Sequence, residues 1–296
     1  MRTIRPVRYI HSFDPAEPPI FEVEDGETVN FHADHSAASY LTFDSTAEDL
    51  ARKRGGGHAL TGPVAVRGAH PGDVLQIDIL ETRSNDWGWG MVGVKAGQLP
   101  ERGDHWAYRT CRIAPDKREA YFSDGIVVPT APFYGVMGVT PAAKTITHTL
   151  GAHGGNLDCK ELTAPATLYL PVLLEGALFL AGDGHAAQGD GEVSTTGIEC
   201  GVESKLRFTL RRDLRLKGPF AEKPDSWIFL SFAKTLDEAA ANATRQALRY
   251  LEDVRGLTPD DAYVLAGFAL DLHVTQTVNP LIGVHAILPK GIFRKE

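Results

Sequence analysis

Residues 64–80 read VAVRGAHPGDVLQIDIL, and this stretch decides the fold class. Pro71-Gly72-Asp73 predicts a tight turn, because these residue types supply the backbone angles that turns require. After the turn, residues 74–79 alternate between two faces, one of which carries Gln76 and Asp78. A period of two predicts a β-strand with one polar face.

Two other regions of the chain have the same character. Asp25-Gly26 followed by residues 28–31, TVNF, predicts an earlier turn and strand. Residues 167–183, TLYLPVLLEGALFLAGD, predict an apolar strand pair that bends near Glu175-Gly176. The 30 glycines and 18 prolines supply many turns. The first two thirds therefore predict a sandwich or barrel-like β-rich body.

The last third changes to helical spacing. Between residues 236 and 254 small and apolar residues recur on one side: Ala239, Ala243, Ala247, Leu248 and Leu251. Thr258-Pro259 then predicts the start of a second helix, with threonine as its N-cap. Its predicted apolar body consists of Val264, Leu265, Phe268 and Leu272. We predict an α+β fold in a single domain, 1–296, with a β-rich body over about 1–235 and a C-terminal helical hairpin in a helical part over about 236–296.

Composition excludes several classes of function. With 38 acidic and 30 basic residues, the net charge of −8 disfavours a nucleic-acid surface. The most apolar segment, residues 168–181, contains Pro171 and Glu175, which disfavours a membrane span. Three cysteines without a CxxC pair favour a reducing compartment. The first residues, MRTIRP, lack the apolar run of a signal peptide, so we expect a cytoplasmic protein.

Residues able to bind a ligand or catalyse a reaction are concentrated between residues 151 and 199. Residues 151–159 read GAHGGNLDC and residues 182–192 read GDGHAAQGDGE. Single Gly-Asp-Gly sequences are common in turns. One histidine, three carboxylates and an amide on a glycine-rich loop directly after an apolar segment instead favour a functional site, because binding residues gather on loops held by rigid strands.

The paired sequences 153–158, HGGNLD, and 182–192 resemble the signature of the acetamidase/formamidase family. Three flanking segments also resemble it: 60–73, 135–141 and 274–280. The resemblance extends from about Val23 to Lys290. It implies a β-rich fold with α elements, hydrolysis of a short amide to carboxylate and ammonia, and a homodimer or higher homo-oligomer. It also implies a divalent metal, with zinc as the first candidate and calcium as the second. His58-Ala59 and His35-Ser36 depart from the family pattern.

Amide hydrolysis needs a strong nucleophile, a polarised carbonyl and a proton for the leaving nitrogen. A divalent metal meets the first two needs, because it lowers the pKa of water and acts as a Lewis acid. The predicted ligands, of which Asp34 matches the family's early acid, are Asp34, Asp158, Asp183 and His185. Glu192 is the predicted general base and acid. Glu199 is expected to hold a ligand histidine.

The predicted substrate-binding residues are His153, Asn156 and Gln188, since an amide side chain can bind both the carbonyl and the NH2 group of a small amide.

Three alternatives remain open at this stage. Cys159 with Glu192 and Lys160 could form a nucleophilic trio like that of nitrilase-type amidases. A hydrolase of a larger C–N substrate could have a wider pocket, shaped by residues such as His58, Trp87, Trp89 and Tyr134. A non-catalytic small-ligand-binding protein could keep the same loops without turnover, although a cluster of ionisable groups argues against it.

Overall fold

The computed structural model describes residues 1–52 and 56–294, so residues 53–55 and 295–296 of the predicted domain lie outside the described residues. Within the described residues the chain forms 21 strands, three α-helices and three short 3-10 helices. The strands are β1 (Arg2–Ile4), β2 (Ser12–Phe13), β3 (Phe21–Val23), β4 (Thr28–Ala33), β5 (Leu60–Val66), β6 (Val74–Ser84), β7 (Trp87–Val92), β8 (Ala107–Ile113), β9 (Glu119–Ser123), β10 (Ile126–Pro129), β11 (Phe133–Val139), β12 (Thr145–Ile146), β13 (Leu150–Gly151), β14 (Gly154–Asn156), β15 (Ala166–Pro171), β16 (Phe179–His185), β17 (Val202–Arg211), β18 (Phe220–Lys223), β19 (Ser226–Ala233), β20 (Asp271–Gln276) and β21 (Ile282–Pro289). The helices are α1 (Ala47–Arg52), α2 (Leu236–Asp253) and α3 (Pro259–Ala269).

A nine-stranded sheet forms one layer, with the strand order β1-β4-β17-β6-β15-β18-β19-β21-β20. The turn and strand predicted from residues 71–79 are confirmed, since β6 begins at Val74 and pairs antiparallel with β15 and β17. Leu75, Ile77 and Ile79 are buried, as the alternating pattern indicates. The strand predicted after Asp25-Gly26 is β4.

A six-stranded sheet, β13-β14-β11-β16-β5-β3, forms the facing layer. Every residue of its central strands β11 and β16 is buried. Phe179 of this sheet meets Phe31 and Phe208 of the larger sheet, with ring centroids 5.9 and 5.2 Å apart. The apolar core therefore lies between the two sheets, as in a sandwich.

The predicted apolar strand pair around Glu175-Gly176 needs a correction. Both strands exist, but β15 belongs to the nine-stranded sheet and β16 to the six-stranded sheet. The bend between them carries the chain from one layer to the other. A buried strand of either layer has the same apolar composition, so the sequence does not distinguish pairing from packing.

The two predicted helices are present and the α+β class is confirmed. Thr235 and Thr258 cap α2 and α3 through their side chains. Helix α2 buries four residues at helical spacing, and its neighbours are β19 and β21: Ala239, Ala243, Ala247 and Leu251.

The boundary between the β-rich body and the helical part differs from the prediction, and so does the second helix. The predicted helical part, 236–296, also contains β20 and β21, which return to the large sheet. Helix α3 buries Ala262 and Ala266, and Leu265 of the predicted apolar body packs partly buried against the same core. Val264 and Phe268 remain 56% and 82% exposed. Two small side chains let α3 lie close to α2, while Val264 and Phe268 face outward.

A four-stranded sheet, β10-β9-β8-β7, extends from the two main layers. Its edge strand β7 bridges to Glu199 through Trp89, with main-chain hydrogen bonds of 2.9 and 2.8 Å. This sheet therefore places an aromatic strand beside the glycine-rich region. Among the described residues no helix is long and apolar enough to cross a membrane.

Candidate active site

The site forms where β16 reaches its carboxyl end against β11. Asp183 lies opposite Gly135, because the flanking residues of the two strands are paired in register. A Cβ atom at Gly135 would lie 2.7 Å from Oδ1 of Asp158 and 2.7 Å from Oδ2 of Asp183. Only glycine lets the two carboxylates converge on this point.

Five ionisable side chains form what we call the central cluster. They are 0–6% exposed, and they are Asp158, Asp183, His185, Glu192 and Glu199. Two overlapping sets of three, both containing His185, place one ligand atom of each residue within 4.8 Å of the others. Among the described residues, no Lys or Arg forms a salt bridge with these four carboxylates.

Three of the acids are held in an unusual backbone conformation. The φ angles of Asp158, Asp183 and Glu192 are 45°, 56° and 46°. This left-handed region is unfavourable for residues other than glycine, and such strain concentrates at functional sites. The fold therefore opposes a local preference in order to aim these carboxylates inward.

Gln188 sets the orientation of His185. Its Nε2 donates to the carbonyl oxygen of Asp158 at 2.7 Å, which leaves Oε1 facing Nδ1 of His185 at 2.8 Å. Because Oε1 can only accept, Nδ1 carries a proton and Nε2 is the free nitrogen of the neutral ring. That Nε2 lies 2.8 Å from Oε1 of Glu199 and 3.6 Å from Oδ1 of Asp183. A lone pair facing two carboxylates requires a proton or a cation between them.

Two asparagines hold Asp158. The Nδ2 atoms of Asn156 and Asn279 both donate to its Oδ2 at 2.6 Å. Its Oδ1 is buried without a hydrogen-bond partner among the described residues. Asn279 is itself positioned by Gln276, whose Oε1 accepts a hydrogen bond from the main-chain N–H of Asn279 at 3.0 Å. The sequence reasoning missed Asn279, although it lies in the segment 274–280 that carried the family resemblance.

Glu199 is anchored on the side of the cluster that faces β7. The Ser36 hydroxyl donates to its Oε2 at 2.6 Å, and its Oε1 contacts His185. Glu199 thus faces Nε2 of His185, whereas Gln188 holds Nδ1, so the expectation that Glu199 holds a ligand histidine from outside the ligand set stays a prediction.

Burial and mutual repulsion shift the ionisation of the cluster. Burial raises the pKa of Glu192 to about 8 and that of Glu199 to about 7. Burial and the charges of Glu192 and Asp183 raise the pKa of Asp158 well above its usual range. Burial opposes protonation of His185, but Glu199 and Asp183 outweigh it and raise the pKa of the ring. The cluster therefore binds positive charge, either as protons or as a cation.

Comparison with known proteins decides the family. The profile described as the Acetamidase/Formamidase family matches residues 7–150 and 141–295. The chain belongs to the acetamidase/formamidase family. The resemblance read from residues 153–158 and 182–192 is thereby confirmed.

Individual family members agree in sequence and in fold. A formamidase of Methylophilus methylotrophus is 29% identical over 53% of this chain and 52% of its own length. An acetamidase of Mycolicibacterium smegmatis is 27% identical over 49% of this chain and 51% of its own length. The match thus spans about half the length of both relatives. The crystal structure of an acetamidase from Bacillus halodurans superposes with a TM-score of 0.93 at 30% identity, covering 98% of each chain.

His153 lies apart from the central cluster. Its carbonyl oxygen accepts from the amide of Val139, which is four residues along β11 from Gly135 and so roughly 13 Å away at about 3.3 Å per residue. Its ring packs edge-on against Phe13, with centroids 5.1 Å apart. None of its described contacts is with the four carboxylates. Proximity in sequence to Asp158 suggested a shared site, but β14 carries the chain away from it.

Asp34 belongs to neither set of three in the described part of the chain. Its main chain does reach β16, since its carbonyl oxygen accepts from the Gly184 amide at 3.2 Å. Its carboxylate instead accepts the Tyr9 hydroxyl at 2.7 Å. The carboxylate of Asp34, the predicted early ligand, therefore has Tyr9 as its hydrogen-bond partner in this structure.

The nitrilase-like trio does not assemble. Cys159 is fully buried, and burial raises the pKa of its thiol to about 12, so it is not a thiolate at neutral pH. Lys160 turns to Asp190, with Nζ 3.0 Å from Oδ1.

His58 joins the site, although it was read only as a pocket residue. Its Nε2 lies 3.8 Å from Oδ2 of Asp183, and its ring lies against His148 with centroids 4.2 Å apart. Of the predicted aromatic pocket residues, Trp87 and Trp89 pack against His35, at centroid distances of 5.3 and 5.8 Å.

Tyr134 is different, because its hydroxyl donates to main-chain carbonyls of the core. It is not a pocket residue.

Proposed function

We propose that this protein catalyses the metal-dependent hydrolysis of a short-chain amide, such as formamide or acetamide, to a carboxylate and ammonia. The observation that carries the proposal is the convergence of four buried carboxylates on His185 without a Lys or Arg counter-ion among the described residues. The activities named for the formamidase and acetamidase relatives agree with this chemistry.

The donor set fits a divalent metal. Asp158 offers a buried Oδ1 without a partner, and His185 offers the nitrogen that Gln188 leaves unprotonated. Asp183 and Glu199 would complete a mixed oxygen and nitrogen set, which suits zinc first and calcium second, and Glu192 stays free to move protons. When bound, such an ion supplies Lewis acidity for the carbonyl and lowers the pKa of water.

Glu192 moves the protons in this proposal. With a pKa near neutrality, its carboxylate accepts a proton from the attacking water while the new C–O bond forms. It then delivers that proton to the amide nitrogen as the C–N bond breaks. The products are the carboxylic acid and ammonia, which ionise in water. Asn156 accepts an N–H of the substrate at its buried Oδ1, which has no partner among the described residues.

Gln188, by contrast, uses both ends of its amide inside the protein. We therefore assign it to orienting His185 rather than to the predicted contact with substrate.

The enclosure of the cluster favours a small substrate. Its five side chains are 0–6% exposed, so a bulky amide would have to displace protein atoms to reach them. This favours a short amide over the larger C–N substrate considered from the sequence. A non-catalytic ligand-binding protein is disfavoured, because binding alone gains little from strained, buried carboxylates.

The test is ammonia release from formamide, acetamide, propionamide and benzamide, before and after treatment with a chelator and re-addition of single divalent ions. We expect turnover of the shortest amides, loss with chelator and recovery with zinc. Turnover that is indifferent to chelator would contradict the metal requirement. Turnover of benzamide alone would contradict the substrate class, and no ammonia from any amide would contradict the reaction.

We also propose a cytoplasmic homo-oligomer. All three cysteines are unpaired, which suits a reducing compartment. Helix α3 exposes Tyr263 and Phe268 by 68% and 82%, and apolar surface of this kind marks interfaces. Light scattering after size exclusion should give a mass of at least twice 32.1 kDa.

A further inference from the structure

A second group of possible ligands lies where the loop that carries Glu192 meets strands β20 and β21, and we call it the outer triad. His273 and His285 are directly opposite each other in the β20–β21 pair. Their rings stack with centroids 5.1 Å apart and 11° between planes. Asp190 approaches from the loop, with Oδ2 3.1 Å from Nδ1 of His273. One ligand atom from each of the three lies within 4.8 Å of the others.

His285 supplies an independent indication of a ligand. Its side chain is fully buried, and its Nδ1 is 2.8 Å from the Thr275 hydroxyl. Its Nε2 has no hydrogen-bond partner among the described residues. An unpartnered buried polar atom is costly, and a histidine whose other nitrogen is held by a hydrogen bond is the usual arrangement of a metal ligand.

The main chain assembles the triad independently of any metal. The Gly191 amide donates to the Thr275 carbonyl at 3.2 Å, and the Thr277 amide donates to the Gly191 carbonyl at 3.0 Å. These bonds hold the loop against β20. Asp190 precedes Gly191 and reaches the outer triad, whereas Glu192 follows it and reaches the central cluster.

We propose that Asp190, His273 and His285 bind a second divalent ion of the zinc class, separate from the central cluster. Two imidazole nitrogens and one carboxylate oxygen form a donor set typical of zinc with a water in the fourth position. Lys160, with Nζ 3.0 Å from Oδ1 of Asp190, competes for the same carboxylate and weakens the site. Through Asp190, the bound ion attaches the loop to β20. Asp190 is two residues from Glu192, the proposed general base.

The test counts zinc equivalents per chain after dialysis against micromolar zinc. Wild type should hold one equivalent more than His273→Gln, while a matched control, His70→Gln, should equal wild type because His70 pairs with Glu175 at the surface. Cobalt substitution gives a second readout, since the visible absorption of the outer triad should disappear in His273→Gln. Thermal unfolding confirms that each variant is folded.

Two further variants separate this site from the central one. Asp183→Asn removes a central ligand and should leave the zinc of the outer triad bound. Lys160→Met should bind this zinc roughly tenfold more tightly, because a competing positive charge is gone. Equal zinc content in wild type and His273→Gln would overturn the proposal, and so would weaker binding by Lys160→Met.

Discussion

Asp78 and the central cluster are both buried acids, but their surroundings differ in one respect. Asp78 is 5% exposed in the nine-stranded sheet and accepts from the Arg207 guanidinium at 2.8 Å and from Thr167 and Gln76 at 2.9 Å. The carboxylates of the central cluster have amide, hydroxyl and imidazole partners and no such cation among the described residues. A buried charge with a structural role is paired with an opposite charge from the protein, because an unpaired buried charge is costly. In the function proposed above, a bound cation takes that position in the central cluster.

The largest expected effect comes from removing the proton carrier. Glu192→Gln keeps the shape of the side chain but cannot accept a proton, so kcat should fall roughly 100- to 10,000-fold. The unfolding free energy should stay equal or rise, because a neutral amide cannot repel the carboxylate of Asp158. Steady-state ammonia release and urea unfolding measure the two quantities. Glu175→Gln, at an exposed acid, is the matched control. Full activity in Glu192→Gln would show that another group moves the proton.

A methyl group at Gly135 tests the convergence of the two carboxylates. In Gly135→Ala the new Cβ would lie 2.7 Å from oxygens of both Asp158 and Asp183, so one of them must move. We expect activity to fall at least tenfold and bound metal to decrease, because misplaced groups cost rate steeply. Gly218→Ala is the control, since a Cβ there meets nothing within 4 Å. The two variants are compared by turnover and by zinc content. Normal turnover and zinc in Gly135→Ala would break the contrast between the cluster and Asp78.

The paired acid should behave in the opposite way. Arg207→Met leaves Asp78 with neutral partners only, and we expect a loss of about 2 kcal/mol in unfolding free energy with kcat unchanged. Arg245→Met, on the exposed face of α2, should change stability by less than about 0.5 kcal/mol. Denaturant unfolding of both variants measures these two changes in unfolding free energy. A loss of activity in Arg207→Met without a loss of stability would mean that Asp78 is not merely structural.

The sequence predicted the fold class and most of the central cluster for separable reasons. Strand β6 follows a period of two and α2 follows helical spacing, and both patterns report burial on one face. Asp158, Asp183, His185 and Glu192 were recognisable because they lie close together in two glycine-rich segments.

The remaining features depend on contacts that the chain makes over long distances. Asn279 reaches Asp158 from 121 residues away, and His58 meets Asp183 only through the sheet order. His273 and His285 become neighbours through the register of β20 and β21. His153 shows the converse, because a strand direction separates its described contacts, Val139 and Phe13, from carboxylates that are near in sequence, and its substrate-binding role stays a prediction.

The smallest expected effect concerns the thiol next to Asp158. Cys159 is adjacent in sequence to the cluster, yet burial raises the pKa of its thiol to about 12. Cys159→Ala should therefore change kcat by less than about twofold, and the native enzyme should resist iodoacetamide at neutral pH, because only the thiolate reacts. Removing the sulfur from a buried position should lower the unfolding free energy by about 1 kcal/mol. Ammonia release measured in the same preparation distinguishes the two effects. A loss of activity larger than the loss of stability explains would return the nucleophile to this cysteine, and the lack of a Lys or Arg partner for the four carboxylates among the described residues would then need a different reason.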